Sequence, residues 1–137
     1  MLRRDVKIAL LKRVPLFAQC SKKELDQLAL RADEVDVGAG TVLTSEGDRG
    51  REFFVLIEGT ADVRRNGRKV NTMGAGDFFG EIALVSERPR TATVTTTSPV
   101  RLLVVTDRSF RELMRKLPSV QLKVLATLVD RLPADAF

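Results

Sequence analysis

The sequence predicts a mainly β protein: an all-β sandwich or barrel over residues 34–106, with helices before and after it. Three observations carry this. Apolar residues recur at helical spacing through the first 33 positions, then give way at Glu34 to short β-rich runs separated by glycines. Asn66-Gly67 stands between two such runs and favours a two-residue type I′ hairpin. Helical spacing returns after residue 106.

The first helix is expected over residues 2–13. Leu2, Val6, Ala9 and Leu10 form its apolar stripe, and Pro15 ends it. Val14, Leu16 and Phe17 then anchor the connector. Ser21 with Glu24 three residues on reads as a capping box, opening a helix that runs to about Ala32 and buries Leu25, Leu28 and Ala29. Strands follow around Val35 and Val37, at residues 41–44, and at residues 52–57, the last a continuous apolar run. The Asn66-Gly67 turn sets Val63 opposite Val70 on the inner face and Arg64 opposite Lys69 on the outer face. Residues 91–96 alternate in β fashion, Ser98-Pro99 turns the chain, and residues 100–105 make a last buried strand. Thr106 or Asp107 caps a helix over 108–117 with Phe110, Leu113 and Met114 as its stripe; Pro118 breaks it. The final helix, 119–132, has apolar residues on more than one face. That surplus suggests a second contact, with a ligand or another subunit.

The length of 137 residues fits one domain, residues 1–137, divided into N-terminal helices (1–33), β region (34–106) and C-terminal helices (107–132). Cys20 is the sole cysteine, so no intrachain disulfide forms, and a half-buried structural role and a cytoplasmic setting are the simplest reading. No apolar run approaches the ~20 residues that span a bilayer, and no secretory leader is evident. The chain has no histidine, tyrosine or tryptophan. Nothing assembles a nucleophile, base and orienting group, and no metal site is expected, so the chain reads as a binder and not an enzyme. The net charge of +5 is concentrated at the start: residues 1–23 hold seven Lys/Arg against Asp5 alone, and the remainder holds 16 basic against 17 acidic residues. A solvated helix face or a contact with an acidic partner both fit that bias.

The chemistry lies in residues 78–94. Gly80 permits close approach of the backbone to a ligand, and Glu81-Ile82-Ala83-Leu84 is a run of helix formers directly after it. Unpaired N–H groups at such a helix start attract anions. Arg90, preset by Pro89, offers a planar fork of donors suited to two phosphate oxygens, and Thr91 adds a hydroxyl. Glu81 repels phosphate and is suited to a neutral donor such as a sugar hydroxyl. By these residues alone, a turn with an exposed ion pair is the other reading.

Phe79-Gly80-Glu81-Ile82-Ala83-Leu84, a gap, then Pro89-Arg90-Thr91-Ala92-Thr93-Val94 resembles the phosphate-binding cassette of cyclic-nucleotide-binding domains. The spacing of Gly38, Gly40, Gly47, Gly59, Gly76 and Gly80 extends the resemblance from about Val14 to about Arg131. The resemblance implies an eight-stranded jelly roll with flanking N-terminal helices and two C-terminal helices. It implies cyclic AMP or cyclic GMP as ligand, with no further cofactor. Arg90 would hold the cyclic phosphate and Glu81 the ribose 2′-hydroxyl. Phe79, Gly80, Ile82 and Ala83 would line the site, with Thr91 and Ala92 completing the cradle. Threonine after the arginine suits the guanine amino group, but cyclic AMP is favoured because bacterial-looking single domains of this type mostly bind it. The purine would face outward, and the final helix is the available lid, with Arg131 placed to stack on the base. No helix-turn-helix, kinase motif or membrane span accompanies the cassette, so no direct DNA binding is expected. The downstream protein is unknown, and the chain is expected as a monomer or a weak dimer through its terminal helices. A stand-alone sensor, a domain of a larger channel or transcription regulator, and a non-binding dimerisation module are the roles left open.

Overall fold

A computed structural model describes residues 2–80 and 89–131, without the side chains at 127, 128, 130 and 131. The chain opens with α1 (Arg4–Lys12), a 3₁₀ turn (Pro15–Phe17) and α2 (Lys22–Ala29). Eight strands follow: β1 (Asp33–Val37), β2 (Val42–Thr44), β3 (Glu52–Glu58), β4 (Ala61–Arg65), β5 (Arg68–Met73), β6 (Phe78–Phe79), β7 (Thr93–Thr96) and β8 (Val100–Thr106). Two helices, α3 (Asp107–Lys116) and α4 (Pro118–Arg131), close the described chain.

The strands form two four-stranded antiparallel sheets, ordered β1-β8-β3-β6 and β2-β7-β4-β5, a jelly-roll arrangement with helices at both ends of the chain. The continuous apolar runs of β3 and β8 have a physical reason, since both strands are covered on both faces. Phe53, Val55, Leu103 and Val105 point to the helices, where they join Phe17, Leu25, Phe110 and Leu113. Phe54, Leu56, Leu102 and Val104 point into the sandwich, against Ala61, Met73 and Val94 of the other sheet. On the helical side Phe17 meets Phe53 edge-on at 5.8 Å between ring centroids and Phe110 at 6.1 Å.

Several local expectations shift. The buried face of α1 centres on Leu11, with Leu2, Ile8 and Leu10 packed partly against the core and Ala9 exposed. Leu11 is thereby continuous with the buried Val14, Leu16 and Phe17 that follow it. Helix α2 stops at Ala29, with Leu30 as an exposed C-cap. In the hairpin, Asn66 and Gly67 both take positive φ, 53° and 75°, as a type I′ turn requires. Arg65 pairs with Arg68 and Arg64 with Lys69, but Val63 lies opposite Asn71, not Val70. A bulge between Val63 and Arg64 shifts the register and leaves Val70 exposed. Cys20 is buried, and burial raises its thiol pKa, so it is a core side chain. Among the described residues, no helix is long and apolar enough to cross a membrane.

The capping box forms as the sequence predicts. Ser21 Oγ accepts from the Glu24 N–H at 3.2 Å, and Glu24 Oε1 accepts from the Ser21 N–H at 2.8 Å. The same carboxylate also accepts from Ser119 Oγ at 2.9 Å and Lys123 Nζ at 2.6 Å, both on α4. It thus joins the start of α2 to the start of the last helix. The Lys123 and Ser21 bonds, in that order, hold the Glu24 carboxyl down at about 2 from its ordinary 4.5. Because the folded value is depressed, its contribution to stability is complete above pH 4.5 and fades as the pH falls toward 2. Glu24→Ala is expected to destabilise the protein by ~1–3 kcal/mol, by leaving partly buried donors without an acceptor. The stability gap between wild type and Glu24→Gln, read from urea midpoints, should narrow across that acid range; a constant gap would disprove the role assigned to the carboxylate.

Candidate functional site

Phe79, Gly80, Arg90, Thr91 and Ala92 line one cavity of ≈ 230 Å³ beside the hairpin sheet. Glu81, Ile82 and Ala83 lie outside the described residues. Arg131 ends α4, and its side chain is likewise outside them.

The strands build the wall. Phe54 of β3 pairs with Phe79 of β6, and their rings stack at 4.7 Å, 16° from parallel. The Arg90 guanidinium lies over the Phe54 ring at 5.8 Å. The backbone of Arg90 is fixed from both sides: its N–H donates to the Asp48 carbonyl at 2.7 Å, and its carbonyl accepts from the Gly47 N–H at 2.9 Å. Pro89 forms a bridge with Arg49. The Arg90 side chain then reaches back, and Nη2 donates to the Glu52 carbonyl at 2.7 Å.

Two glycines make room for this. A Cβ at Gly80, whose φ is +87°, would sit 2.7 Å from Arg90 Nη1 and 2.6 Å from the Glu52 carbonyl. A Cβ at Gly50 would sit 1.6 Å from Arg90 Nε. Sequence reasoning missed Gly50, and no local signal marks it, because its neighbour is a side chain forty positions away.

The opposite wall was also missed. Arg65 at the end of β4 and Asn71 of β5 line the same cavity. Arg65 Nε donates to the Thr91 carbonyl at 3.1 Å, tying the hairpin to the segment after Arg90. Arg65 and Arg90 are the charged residues of the described lining, and no carboxylate joins them. The cavity therefore favours an anion.

The sequence profile of the cyclic nucleotide-binding domain matches residues 34–117. The chain is 36% identical over 116 residues to a cAMP-dependent protein kinase regulatory subunit of Mycosarcoma maydis, covering 78% of this chain and 22% of that protein. It is 33% identical over 118 residues to a cyclic nucleotide-gated potassium channel of Rhizobium etli, covering 86% of this chain and 33% of that one. The chain thus spans between about a fifth and a third of these curated relatives. Among solved structures it resembles the N-terminal domain of a transcriptional regulator from Streptomyces coelicolor A3(2), with TM-score 0.81 and 30% identity over 89% of this chain and 91% of that one. It also resembles cAMP-bound PfPKA-R, with TM-score 0.71 and 26% identity over 91% and 47% of the two chains.

Gly50→Ala is expected to push the Arg90 guanidinium off the Glu52 carbonyl without unfolding the protein, because the obstructed atoms end a flexible side chain. The Arg90 Nε–H resonance reports this directly: it should shift and exchange faster with solvent in the variant. An unaltered resonance would show that Gly50 does not set the position of Arg90.

Proposed function

The chain belongs to the cyclic nucleotide-binding domain family, and on that premise we propose that it binds a cyclic nucleotide, cyclic AMP in preference to cyclic GMP, and relays binding through its last helix. The observation that carries the reading is Arg90, fixed by its backbone at a cavity whose described lining is cationic and holds no carboxylate. A cyclic phosphate complements that charge, and the guanidinium plane suits two of its oxygens. Gly80, Ile82 and Ala83 offer backbone N–H groups to the same phosphate, with Thr91 and Ala92 beside it, and Phe79 supports the wall. Glu81 takes the ribose 2′-hydroxyl. The role is that of a sensor with no chemistry of its own, since binding requires only these contacts. The names of the relatives, a cAMP-dependent kinase regulatory subunit and a cyclic nucleotide-gated channel, support the ligand class.

Calorimetric titration of nucleotide-free protein with cyclic AMP tests this. Arg90→Ala should weaken binding by ~2–5 kcal/mol, because a desolvated phosphate loses its counter-charge. Unchanged affinity in that variant would remove Arg90 from the site and with it the proposed function.

The relay rests on α4. Val120 and Val124 are buried against the core, and Glu24 holds Ser119 and Lys123, so the first half of the helix is anchored. Leu122, Leu125 and Val129 are 69, 56 and 53% exposed. This surplus apolar face is available to cover an outward-facing purine, with Arg131 stacking on it. Closure is a population shift driven by tighter binding to the closed state. Amide hydrogen exchange in residues 125–131 should slow on saturation with cyclic AMP. Protection confined to residues 78–94 would rule out the lid.

A further inference from the structure

Helix α3 carries a second cationic surface, away from the cavity. Thr106 Oγ1 caps it by accepting from the Ser109 N–H at 3.1 Å. Phe110 and Leu113 are buried on its inner face. Arg108, Arg111 and Arg115 recur at spacings of three and four on the outer face and are all exposed. Arg51, in the loop before β3, joins them because its carbonyl accepts from the Asp107 N–H at 2.7 Å. The four arginines line one groove of ≈ 590 Å³, with Met114 as apolar floor.

Asp107 is the acid of that lining, and it is engaged by Arg111. The guanidinium groups of Arg51, Arg108 and Arg115 make no hydrogen bond or ion pair with the described residues. Three such groups beside one another repel, and carboxylates brought by a partner would relieve that repulsion. Guanidinium forks suit carboxylates in particular, and an apolar floor between them suits a peptide side chain.

We propose that this groove docks an acidic segment of a partner protein. The geometry favours a peptide over a nucleic acid. The arginines on α3 span only ~10 Å along the helix. Glu112 pairs with Lys116 at 3.6 Å on the same helix, so the next basic residue of α3 is already engaged. The groove is connected to the nucleotide cavity through the loop before β3. Arg51 borders the groove, while the adjacent Glu52 carbonyl holds Arg90 and the Asp48 carbonyl accepts from the Arg90 N–H. Docking rests on the groove alone; its coupling to the ligand rests on the nucleotide reading.

Fluorescence anisotropy with a labelled peptide, four glutamates around a central leucine, tests the docking on the full chain. Wild type should bind. Arg108→Glu/Arg115→Glu should weaken binding by about tenfold, and Arg51→Gln, outside the helix, by a smaller factor. Arg3→Glu/Lys12→Glu removes the same charge from α1 and should change nothing. Absence of wild-type binding, an equal loss in the α1 variant, or preferential displacement by a DNA duplex or anionic vesicles would each overturn the proposal. Saturating cyclic AMP should alter peptide affinity severalfold; unchanged affinity in a protein that binds cyclic AMP would overturn the coupling. Peptide binding without any cyclic AMP binding would instead refute the nucleotide reading and leave the docking intact.

Discussion

Two strands with no polar face constrain the whole molecule. β3 and β8 present phenylalanine, leucine and valine on both sides, so each side needs its own cover. One side is closed by the second sheet. The other is closed by helices from both ends of the chain, α1 and α2 together with α3 and α4. Burying a single such side chain is worth ~1.5–3 kcal/mol, so removing either cover would expose the centre of the fold. The helices are thus structural before they are functional. Val120 and Val124 of α4 belong to that cover, so the start of the helix is held in the core.

The same strand pair positions the cavity. Phe54 belongs to the sandwich interior yet stacks on Phe79 and lies under Arg90. The carbonyl that receives the Arg90 guanidinium belongs to Glu52, the first residue of β3. An arginine at a site mouth is ordinarily a mobile side chain with a large rotamer entropy. Here two missing β-carbons, a ring and a carbonyl define where it rests. The placement comes from β3 and the loop before it, with Gly80, and the charge from Arg90 in the segment before β7.

The legible parts of the fold were those governed by neighbouring residues. The Asn66-Gly67 turn, the Ser21–Glu24 box, the Thr106 cap and the two continuous strands each rest on chemistry within a few positions. What escaped depended on distance. The bulge beside Val63 leaves Val70 of β5 unpaired, and no turn residue encodes it. The shift of the α1 face to Leu11 depends on what the helix packs against. Glu24 reads as a cap, and its bonds to Ser119 and Lys123 cannot be seen from residue 24. In the candidate site, the motif residues Phe79, Gly80, Arg90, Thr91 and Ala92 converge on one cavity, while Gly50, Arg65 and Asn71 reach it from other strands without any motif of their own. Glu81, Ile82 and Ala83 lie outside the described residues, so the roles proposed for them rest on the sequence alone.

The double use of Glu24 couples two helix starts that are far apart in sequence. Its partners within the cap are three residues away, and its partners on α4 are 95 and 99 residues away. One carboxylate therefore ties two helices that lie on either side of the whole β region in sequence. Loss of the cap would leave the α4 donors without a correctly placed acceptor, and loss of α4 would leave the carboxylate to the cap alone, so the two helix starts are energetically coupled.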